Sequence, residues 1–334
     1  MHNIDDVLSD PLWLPHNYDP QSDRIQFLLI PIAAREKLTF LADFKPESDM
    51  STCWISGETL RAASIDSVPV HFIFHSAFCR STLLVKALGE FENSSGLSEP
   101  MIVNALQSQA KNDKALSLIP SVIALLGRPV HGEKTVIVKP SNFANGVIPA
   151  LLEADPSSKA VIIYGSLREF LQSVAKKGLE GRLWARKQLA HNRNIIPVSL
   201  GLDERAFYEL SDLQAAALTW LFHIRQFHSL VQAQSSRFRT LPSSEFSERK
   251  VDSLNAAADF FEIPDAAGNA MRVAGGSLFA SHAKLGGDYE AIMAKQDAEA
   301  RSKVTEEEID IIAGWIDLIL GQLGVSLPLR AKLI

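Results

Sequence analysis

The sequence predicts an α/β protein: a doubly wound, mostly parallel sheet with helices on both faces, in three layers. Two observations predict it. Short runs of β-branched and apolar residues recur between residues 70 and 241, and helical patterns separate them. Strands that alternate with helices are typical of an open parallel sheet. The composition, 46% hydrophobic and 22% charged over 334 residues, is that of an ordinary folded protein.

The predicted strands share short length and a high content of β-branched and aromatic residues. They are Val70–His75, Thr135–Val138, Ala160–Tyr164 and Arg237–Leu241. The predicted helices share helical spacing of apolar residues. They are Leu83–Phe91, Met101–Leu126, Phe143–Glu153, Leu167–Lys177, Asp212–Gln234, Val251–Phe261 and Thr305–Leu323. Thr305 and Glu308 have the spacing of a capping box, which predicts the start of the last helix.

The first 66 residues lack this alternation. Pro11, Pro15, Pro20 and Pro31 interrupt them around one apolar stretch, Phe27–Ile32. We therefore predict an N-terminal extension, residues 1–66, that packs on a core domain formed by residues 67–334.

Charge and composition limit the kinds of binding partner and the cellular location that we predict. The net charge of −6 and pI of about 5.9 give no global attraction for nucleic acid or an anionic membrane, so we predict neither partner. No apolar run reaches the roughly 18 residues of a membrane span, and the acidic start is unlike a signal peptide. We expect a cytoplasmic protein. Cys53 and Cys79 lack metal-ligand spacing, which predicts free thiols and no metal site.

The first strand-to-helix connection, FHSAFCRST, is the first candidate site. In an open α/β sheet this position commonly holds a phosphate, because backbone N–H groups and the helix N-terminus point at it. Ser81 and Thr82 would add hydroxyl donors, and Arg80 would add a planar fork of N–H groups. These residue types predict binding of a phosphate or sulfate group.

The same segment is not a Walker A loop. That loop needs the pattern GxxxxGK[ST], whereas FHSAFCRST has no glycine and has arginine where lysine is required. An ordinary connection with a solvated arginine and a capping serine remains an equal alternative for this stretch alone.

Five short motifs over residues 68–264 resemble, in their order, those of the sulfotransferase family. FHSAFCRSTLLVKAL resembles the family's PxSGTT[LW] loop, and LSEP at Leu97–Pro100 resembles its Ser-Glu-Pro element. VIVKPSNFAN resembles its strand that ends in Lys-Pro. DPSSKAVIIYGSLREFLQSV resembles PxAKxIxxxRxPxxxxxS, and RFRTLPSSEFSERKVDSLNAAADFFEIP resembles the penultimate strand with its following helix.

This resemblance implies a P-loop-type version of the predicted fold and a transferase. The donor would be 3′-phosphoadenosine 5′-phosphosulfate as co-substrate, and the acceptor would be a hydroxyl or amine on a small molecule or glycan. The implied donor contacts are Ser76, Ala77, Phe78, Cys79, Arg80, Ser81, Thr82, Arg168, Ser173 and Lys284. Of these, Ser173 takes the place of the serine that binds the 3′-phosphate, and Lys284 lies in a late glycine-rich segment.

Two positions depart from the family pattern. The basic residue of its first loop aligns with Phe78, so Arg80 would supply the charge from a shifted position. The arginine of its RxPxxxxxS motif aligns with Gly165, which leaves Arg168 as the nearest substitute. A basic segment adds positive charge, and we expect its members to face an anion as a group: Lys176, Lys177, Arg182, Arg186, Lys187 and Arg193.

The predicted catalytic residues are Lys139, Glu99 and Arg80. Lys139 ends a strand, where it would stabilise the charge that develops during sulfuryl transfer. Glu99 of LSEP is the general base that the resemblance implies, and His75 and His131 are the fallback bases.

Two other functions stay open. A nucleotide-dependent, kinase-like P-loop enzyme is one, although the predicted strands end without the aspartate that would hold magnesium. A degenerate P-loop module that binds an anion, a nucleotide or a protein without turnover is the other. The identity of the acceptor is not encoded in any motif that we recognise.

Overall fold

The computed structural model describes residues 3–46, 50–195, 200–279 and 306–334. The chain divides into two compact units. The first consists of Met1–Phe74, Ser81–Val161 and Leu254–Ala270, and the second of His75–Arg80, Ile162–Ser253 and Met271–Ile334. The predicted boundary after residue 66 stays a prediction.

The described strands form two sheets. The antiparallel sheet has the order β1 (Trp13–Asp19), β2 (Arg24–Leu29) and β3 (Thr52–Ser56). The parallel sheet contains β4 (Val70–His75), β5 (Ser94–Ser98), β6 (Thr135–Lys139), β7 (Ala160–Tyr164) and β8 (Phe238–Pro242), in the spatial order β5-β6-β4-β7-β8. With its flanking helices, this sheet confirms the predicted α/β fold class.

The described helices lie before, between and after these strands along the chain. They are α1 (Ile4–Ser9), α2 (Ile32–Lys37), α3 (Gly57–Ala62), α4 (Ser81–Gly89), α5 (Met101–Gln107), α6 (Asp113–Leu116), α7 (Ile119–Leu126), α8 (Ile148–Ala154), α9 (Leu167–Lys176), α10 (Gly178–Arg193), α11 (Glu204–Glu209), α12 (Asp212–Ala233), α13 (Ser243–Glu248), α14 (Lys250–Phe260), α15 (Asn269–Ala274) and α16 (Glu306–Gln322). Short 3₁₀ helices span Leu41–Asp43 and Asn142–Val147. Within the described ranges no helix is both long and apolar enough to cross a membrane.

The central strand β4 positions the candidate site. Every residue of β4, β6 and β7 is buried, which explains their mostly apolar character. From β4 the chain first leads to β5 and β6 on one side and later continues to β7 on the other. The carboxyl end of β4 is therefore the point where the strand order reverses, which is where open α/β sheets bind ligands.

One predicted helix, Met101–Leu126, is wrong as a continuous element. It is divided into α5, α6 and α7 because two residues end or start helices within it. The side chain of Asn112 accepts hydrogen bonds from the N–H groups of Lys114 and Ala115, at 3.1 and 3.3 Å, and so caps α6. Pro120 lies in the first turn of α7, where its missing N–H is tolerated. The predicted cap Thr305 lies outside the described residues.

Strand β5 was not predicted, because its sequence SSGLS is polar and contains glycine. Gly96 is required there, since α4 packs closely against the strand. A Cβ atom at Gly96 would lie 2.5 Å from the carbonyl oxygen of Val85, and one at Gly89 would lie 2.8 Å from the backbone nitrogen of Gly96. The closeness of the helix and the strand therefore depends on two glycines.

Asp23 joins the antiparallel sheet to neighbouring helices. Its buried carboxylate accepts hydrogen bonds from both terminal nitrogens of Arg61 on α3, at 2.9 and 3.1 Å, and from the hydroxyl of Tyr18 at 3.0 Å. Lys114 on α6 lies 3.2 Å away. The hydrogen bond from Arg61 is the main reason that the pKa of Asp23 is lowered to about 2.

Arg128 holds the first residues of the chain. Its buried guanidinium donates to the carbonyl oxygens of Val7, Leu8 and Asp10, at 2.9 to 3.0 Å, and also to that of Trp13. Carbonyl groups compensate the charge only in part, and burial lowers the pKa of Arg128 to about 10.

The last residues of the chain pair with β8. The N–H of Thr240 donates to the carbonyl of Ala331 at 2.8 Å, and the N–H of Leu333 donates to the carbonyl of Thr240 at 2.9 Å. The hydroxyl of Tyr164 accepts from the N–H of Leu329 at 2.9 Å. This segment therefore covers the outer edge of the strand.

We expect Gly96→Ala to lower the free energy of unfolding by about 1–3 kcal/mol, because the new methyl group collides with backbone that cannot rotate away. Gly314→Ala is the matched control: a Cβ atom there meets open space, and alanine favours a helix by about 0.5–1 kcal/mol. Urea unfolding of the two variants checks the opposite signs. Equal effects would contradict the close contact of α4 and β5.

Acid should destabilise the fold below neutral pH. Burial lowers the pKa of His71 to about 4 and that of His223 to about 3, so both stay neutral in the fold. In the unfolded chain both histidines are protonated below a pH of about 6.5. The state that binds more protons, here the unfolded one, becomes more stable as the pH falls. We expect the free energy of unfolding to fall between pH of about 6.5 and 4.

His223→Gln should flatten that pH dependence, and His131→Gln is its control because His131 is exposed. Urea midpoints at several pH values measure both slopes. An unchanged slope in the His223 variant would show that this histidine is not held neutral.

Candidate functional site

The connection from β4 to α4 adopts a backbone that normally requires glycine. Ala77, Phe78 and Arg80 have φ angles of +69°, +49° and +64°, all in the left-handed region. For residues with a Cβ atom this conformation costs roughly 1–2 kcal/mol each. Such strain persists where the surroundings impose it, commonly at ligand sites. The connection is therefore a loop held in an unfavourable backbone conformation, not an ordinary unstrained turn.

Hydrogen bonds fasten this loop to the carboxyl end of β7. The N–H of Gly165 donates to the hydroxyl of Ser76 at 3.3 Å, and the thiol of Cys79 donates to the carbonyl of Ile163 at 3.3 Å. Within the loop, the N–H of Ala77 donates to Nδ1 of His75 at 3.1 Å. Ser76 and Cys79 are both buried. These bonds offset part of the strain.

Phe78, which stands where the family has a basic residue, anchors the loop instead. Its ring contacts Phe170 of α9 and Trp184 of α10, at centroid distances of 5.6 and 4.9 Å. Arg80 has the opposite character, since it is exposed and makes no hydrogen bond or ion pair with the described residues. This short loop thus presents an exposed cation directly before the first turn of α4, a combination that suits an anion.

The other predicted donor contacts already have partners. Arg168 forms an ion pair with Asp310 of α16, and the hydroxyl of Ser173 donates to the carbonyl of Glu169 at 2.8 Å. Gly165, which the resemblance aligns with an arginine, donates its N–H to the hydroxyl of Ser76. Ser81 and Thr82 begin α4 directly after the loop. Lys284 lies outside the described residues.

Most of the basic segment lies on α10, and several of its positive charges are compensated by neighbouring groups. Arg186 binds Asp212 at 2.6 Å, and Arg182 lies 3.7 Å from the same carboxylate. The guanidinium of Arg193 stacks over the ring of Phe207 at 4.1 Å. The expectation that all these side chains face an anion as a group therefore stays a prediction, because Arg182, Arg186 and Arg193 already interact within the protein.

Glu99 and Lys139 form a buried ion pair in the first unit. The ammonium of Lys139 donates to Oε1 of Glu99, and the N–H of Glu99 donates to the carbonyl of Lys139 at 2.7 Å. The ring of Phe40 lies 5.1 Å from the ammonium nitrogen. Glu99 has φ of +52°, another left-handed backbone without glycine. Backbone and side chain together hold the carboxylate on the ammonium.

This pair is almost dry. The exposed fraction is 1% for the Lys139 side chain and 16% for that of Glu99. A buried ammonium without a partner would be strongly destabilising, so each charge requires the other. Because Oε1 of Glu99 accepts from Lys139, a role for Glu99 as general base places the acceptor hydroxyl at the second carboxylate oxygen.

The fallback bases are less suited. His75 is buried and its Nδ1 already accepts from the loop, which makes it a support of the loop. His131 is exposed, in a turn whose N–H groups donate to Glu133. Phe40 and Trp184 were not predicted from the sequence, since an aromatic residue carries no motif and both contacts join distant parts of the chain.

No protein-family model matches the sequence, and no curated protein matches it. Among solved structures, the sulfotransferase from Alicyclobacillus acidocaldarius is similar at 16% identity and a TM-score of 0.38, over 60% of this chain and 86% of that one. The sulfotransferase domain from the curacin biosynthetic pathway is similar at 15% identity and a TM-score of 0.42, over 79% and 100%. Because both TM-scores are below 0.5, the case for a function rests on the loop and the ion pair.

We expect Ala77→Gly to leave stability unchanged or raise it by up to about 1 kcal/mol, because glycine adopts the left-handed backbone without strain. Ala87→Gly, in the interior of α4, is the control and should cost about 1 kcal/mol. Thermal or urea unfolding measures both. A comparable loss in the two variants would contradict the left-handed conformation of the loop.

Proposed function

We propose that this chain is a sulfotransferase-like enzyme. It would transfer a sulfuryl group from 3′-phosphoadenosine 5′-phosphosulfate to a hydroxyl or amine of a small-molecule or glycan-type acceptor. The observation that carries the proposal is the left-handed, glycine-free loop at the carboxyl end of the central strand, with an exposed arginine. The motif order that resembles this family gives the loop its proposed ligand.

The loop is proposed to bind the 5′-phosphosulfate. Backbone N–H groups of the loop other than that of Ala77, the hydroxyls of Ser81 and Thr82, and the guanidinium of Arg80 are the proposed donors. Arg168, Ser173 and Lys284 are the proposed contacts of the 3′-phosphate. For Arg168 this role requires exchange of its ion pair with Asp310 for the phosphate, which is feasible because its side chain is 45% exposed.

The proposed chemistry is an in-line displacement. The S–O bond to the phosphate of the donor breaks while a new bond forms between sulfur and the acceptor oxygen or nitrogen. The proton of the acceptor goes to Glu99, and Lys139 and Arg80 stabilise negative charge on the sulfuryl oxygens and the leaving phosphate. A positioned cation and a positioned base are sufficient for this reaction class.

A binding module without turnover is the second candidate, and Phe78 favours it. The position that the resemblance aligns with a cation here carries a half-buried ring that packs against Trp184, so its side chain supplies no charge for a phosphate. The kinase-like alternative requires a magnesium-nucleotide, and a comparison of ligands separates it from the other two.

Thermal unfolding with adenosine 3′,5′-bisphosphate, with ATP and magnesium, and without ligand tests the proposal. A ligand at about 100 times its dissociation constant should add roughly 2.7 kcal/mol. We expect stabilisation by the bisphosphate and little by ATP and magnesium. The reverse order would support the kinase-like reading, and no shift with the bisphosphate would overturn the proposed function.

Variants locate the pocket in the same assay. We expect Arg80→Ala to weaken the bisphosphate shift, with Arg205→Ala, an exposed arginine of α11, as the control. For the buried pair, Lys139→Met combined with Glu99→Gln removes both charges without leaving one unpaired. If both Arg80→Ala and the double variant bind the bisphosphate as the wild type does, the pocket lies elsewhere.

A further inference from the structure

Phe40 belongs to a segment that the proposed function does not use. Residues 38–43 precede β3 in the chain, yet the ring of Phe40 lies over the ammonium of Lys139 at 5.1 Å. At this distance an aromatic face attracts a cation. The ring can neither accept a proton nor replace water as a hydrogen-bonding partner. It therefore covers one side of the ion pair with apolar surface.

Contacts on both sides hold this ring in place. The ammonium of Lys86 on α4 donates to the carbonyl of Leu38 at 3.3 Å. On the other side, the N–H of Asp43 donates to the carbonyl of Phe40 at 3.1 Å, within the turn that buries Leu41. The segment is thus fixed to a helix before the ring and to a short 3₁₀ helix after it.

Exposure is uneven around the ion pair. The Lys139 side chain is closed to solvent, whereas Glu99 keeps an exposed fraction of 16%. The Phe40 ring itself is half-buried, so part of it remains available for contact. The aromatic surface that covers the ammonium is thus one ion-pair contact away from a partly exposed carboxylate. Apolar parts of a group bound at the carboxylate would gain from that surface, and hydroxyl groups would lose hydration there.

We propose that Phe40 is the residue that controls access to the Glu99–Lys139 pair and selects acceptors with a planar or apolar body beside the reacting hydroxyl or amine. The selection of acceptors rests on the proposed function, whereas the control of access does not. Phe40 acts here as a specificity-determining residue, because it touches the pair and forms the wall beside it. A polyhydroxylated acceptor is disfavoured by the same wall.

Chemical labelling of Lys139 tests this without a known acceptor. Two amine-reactive esters of similar length are compared, one with a phenyl body and one with an ethylene glycol body. Mass spectrometry of peptides gives the rate at Lys139 relative to exposed Lys187. In the wild type we expect slow labelling with a preference for the phenyl ester. Phe40→Ala should raise both rates roughly tenfold and remove the preference.

Matched variants separate the ring from general loosening. Phe40→Trp keeps an aromatic face and should retain both the low rate and the preference. Phe44→Ala removes a half-buried ring from the same part of the chain and should change neither. Lys86→Ala releases the carbonyl of Leu38 and should raise the rates with the ring intact, which keeps the test valid if Phe40→Ala fails to fold.

Three results would overturn the proposal. They are an absence of phenyl preference in the wild type, rates in Phe40→Ala and Lys86→Ala within twofold of the wild type, and a Phe44→Ala effect equal to that of Phe40→Ala. Binding of adenosine 3′,5′-bisphosphate is a separate measurement. If labelling follows expectation while the bisphosphate does not bind, Phe40 still controls access and only the proposed reaction fails.

Discussion

Burial of the Lys139 ammonium is the constraint around which the first unit is arranged. A charge removed from water needs an opposite charge with good geometry, and Glu99 provides it at the end of the neighbouring strand. To reach the ammonium, Glu99 adopts a left-handed backbone, and its N–H closes a second bond to the carbonyl of Lys139. The aromatic face of Phe40 also packs against the cation. One buried charge thus accounts for how β5 ends, why its last turn is strained and where residues 38–43 lie.

The loop after β4, in the second unit, also has an unfavourable backbone conformation that its surroundings must stabilise. Three residues with Cβ atoms hold a conformation suited to glycine, and the surrounding hydrogen bonds and aromatic contacts keep them there. Phe78 departs from the pattern that the sequence resembles: the side chain that the resemblance expects to be charged packs against aromatic rings instead. The exposed cation moves to Arg80. If the site binds a sulfate donor, backbone N–H groups take a larger share of the contact than in the pattern that the sequence resembles.

Sequence patterns predicted the parallel sheet well where burial is complete. The bounds of β4 and β7 agree with prediction because strands covered on both faces are uniformly apolar. Strand β5 was missed because this edge strand, which lies close to a helix, is rich in serine and contains glycine, and that composition resembles a loop. The break at Asn112 was readable as a cap, but apolar spacing on either side concealed it. Strand ends located Lys139, whereas its contact with Phe40 depends on tertiary packing that no local pattern encodes.

The pairing of residues 331–333 with β8 has a consequence for how the protein is made. A strand at the border of a sheet exposes unpaired N–H and C=O groups, which attract other chains. On the ribosome, β8 is synthesised well before the segment that covers it. Thr240 therefore cannot form its hydrogen bonds until Ala331 and Leu333 have been synthesised. During that interval the nascent chain carries an open edge. If the chain were truncated within this segment, the edge of β8 would stay unpaired. Chaperones that shield such edges would then matter most for the yield of folded protein.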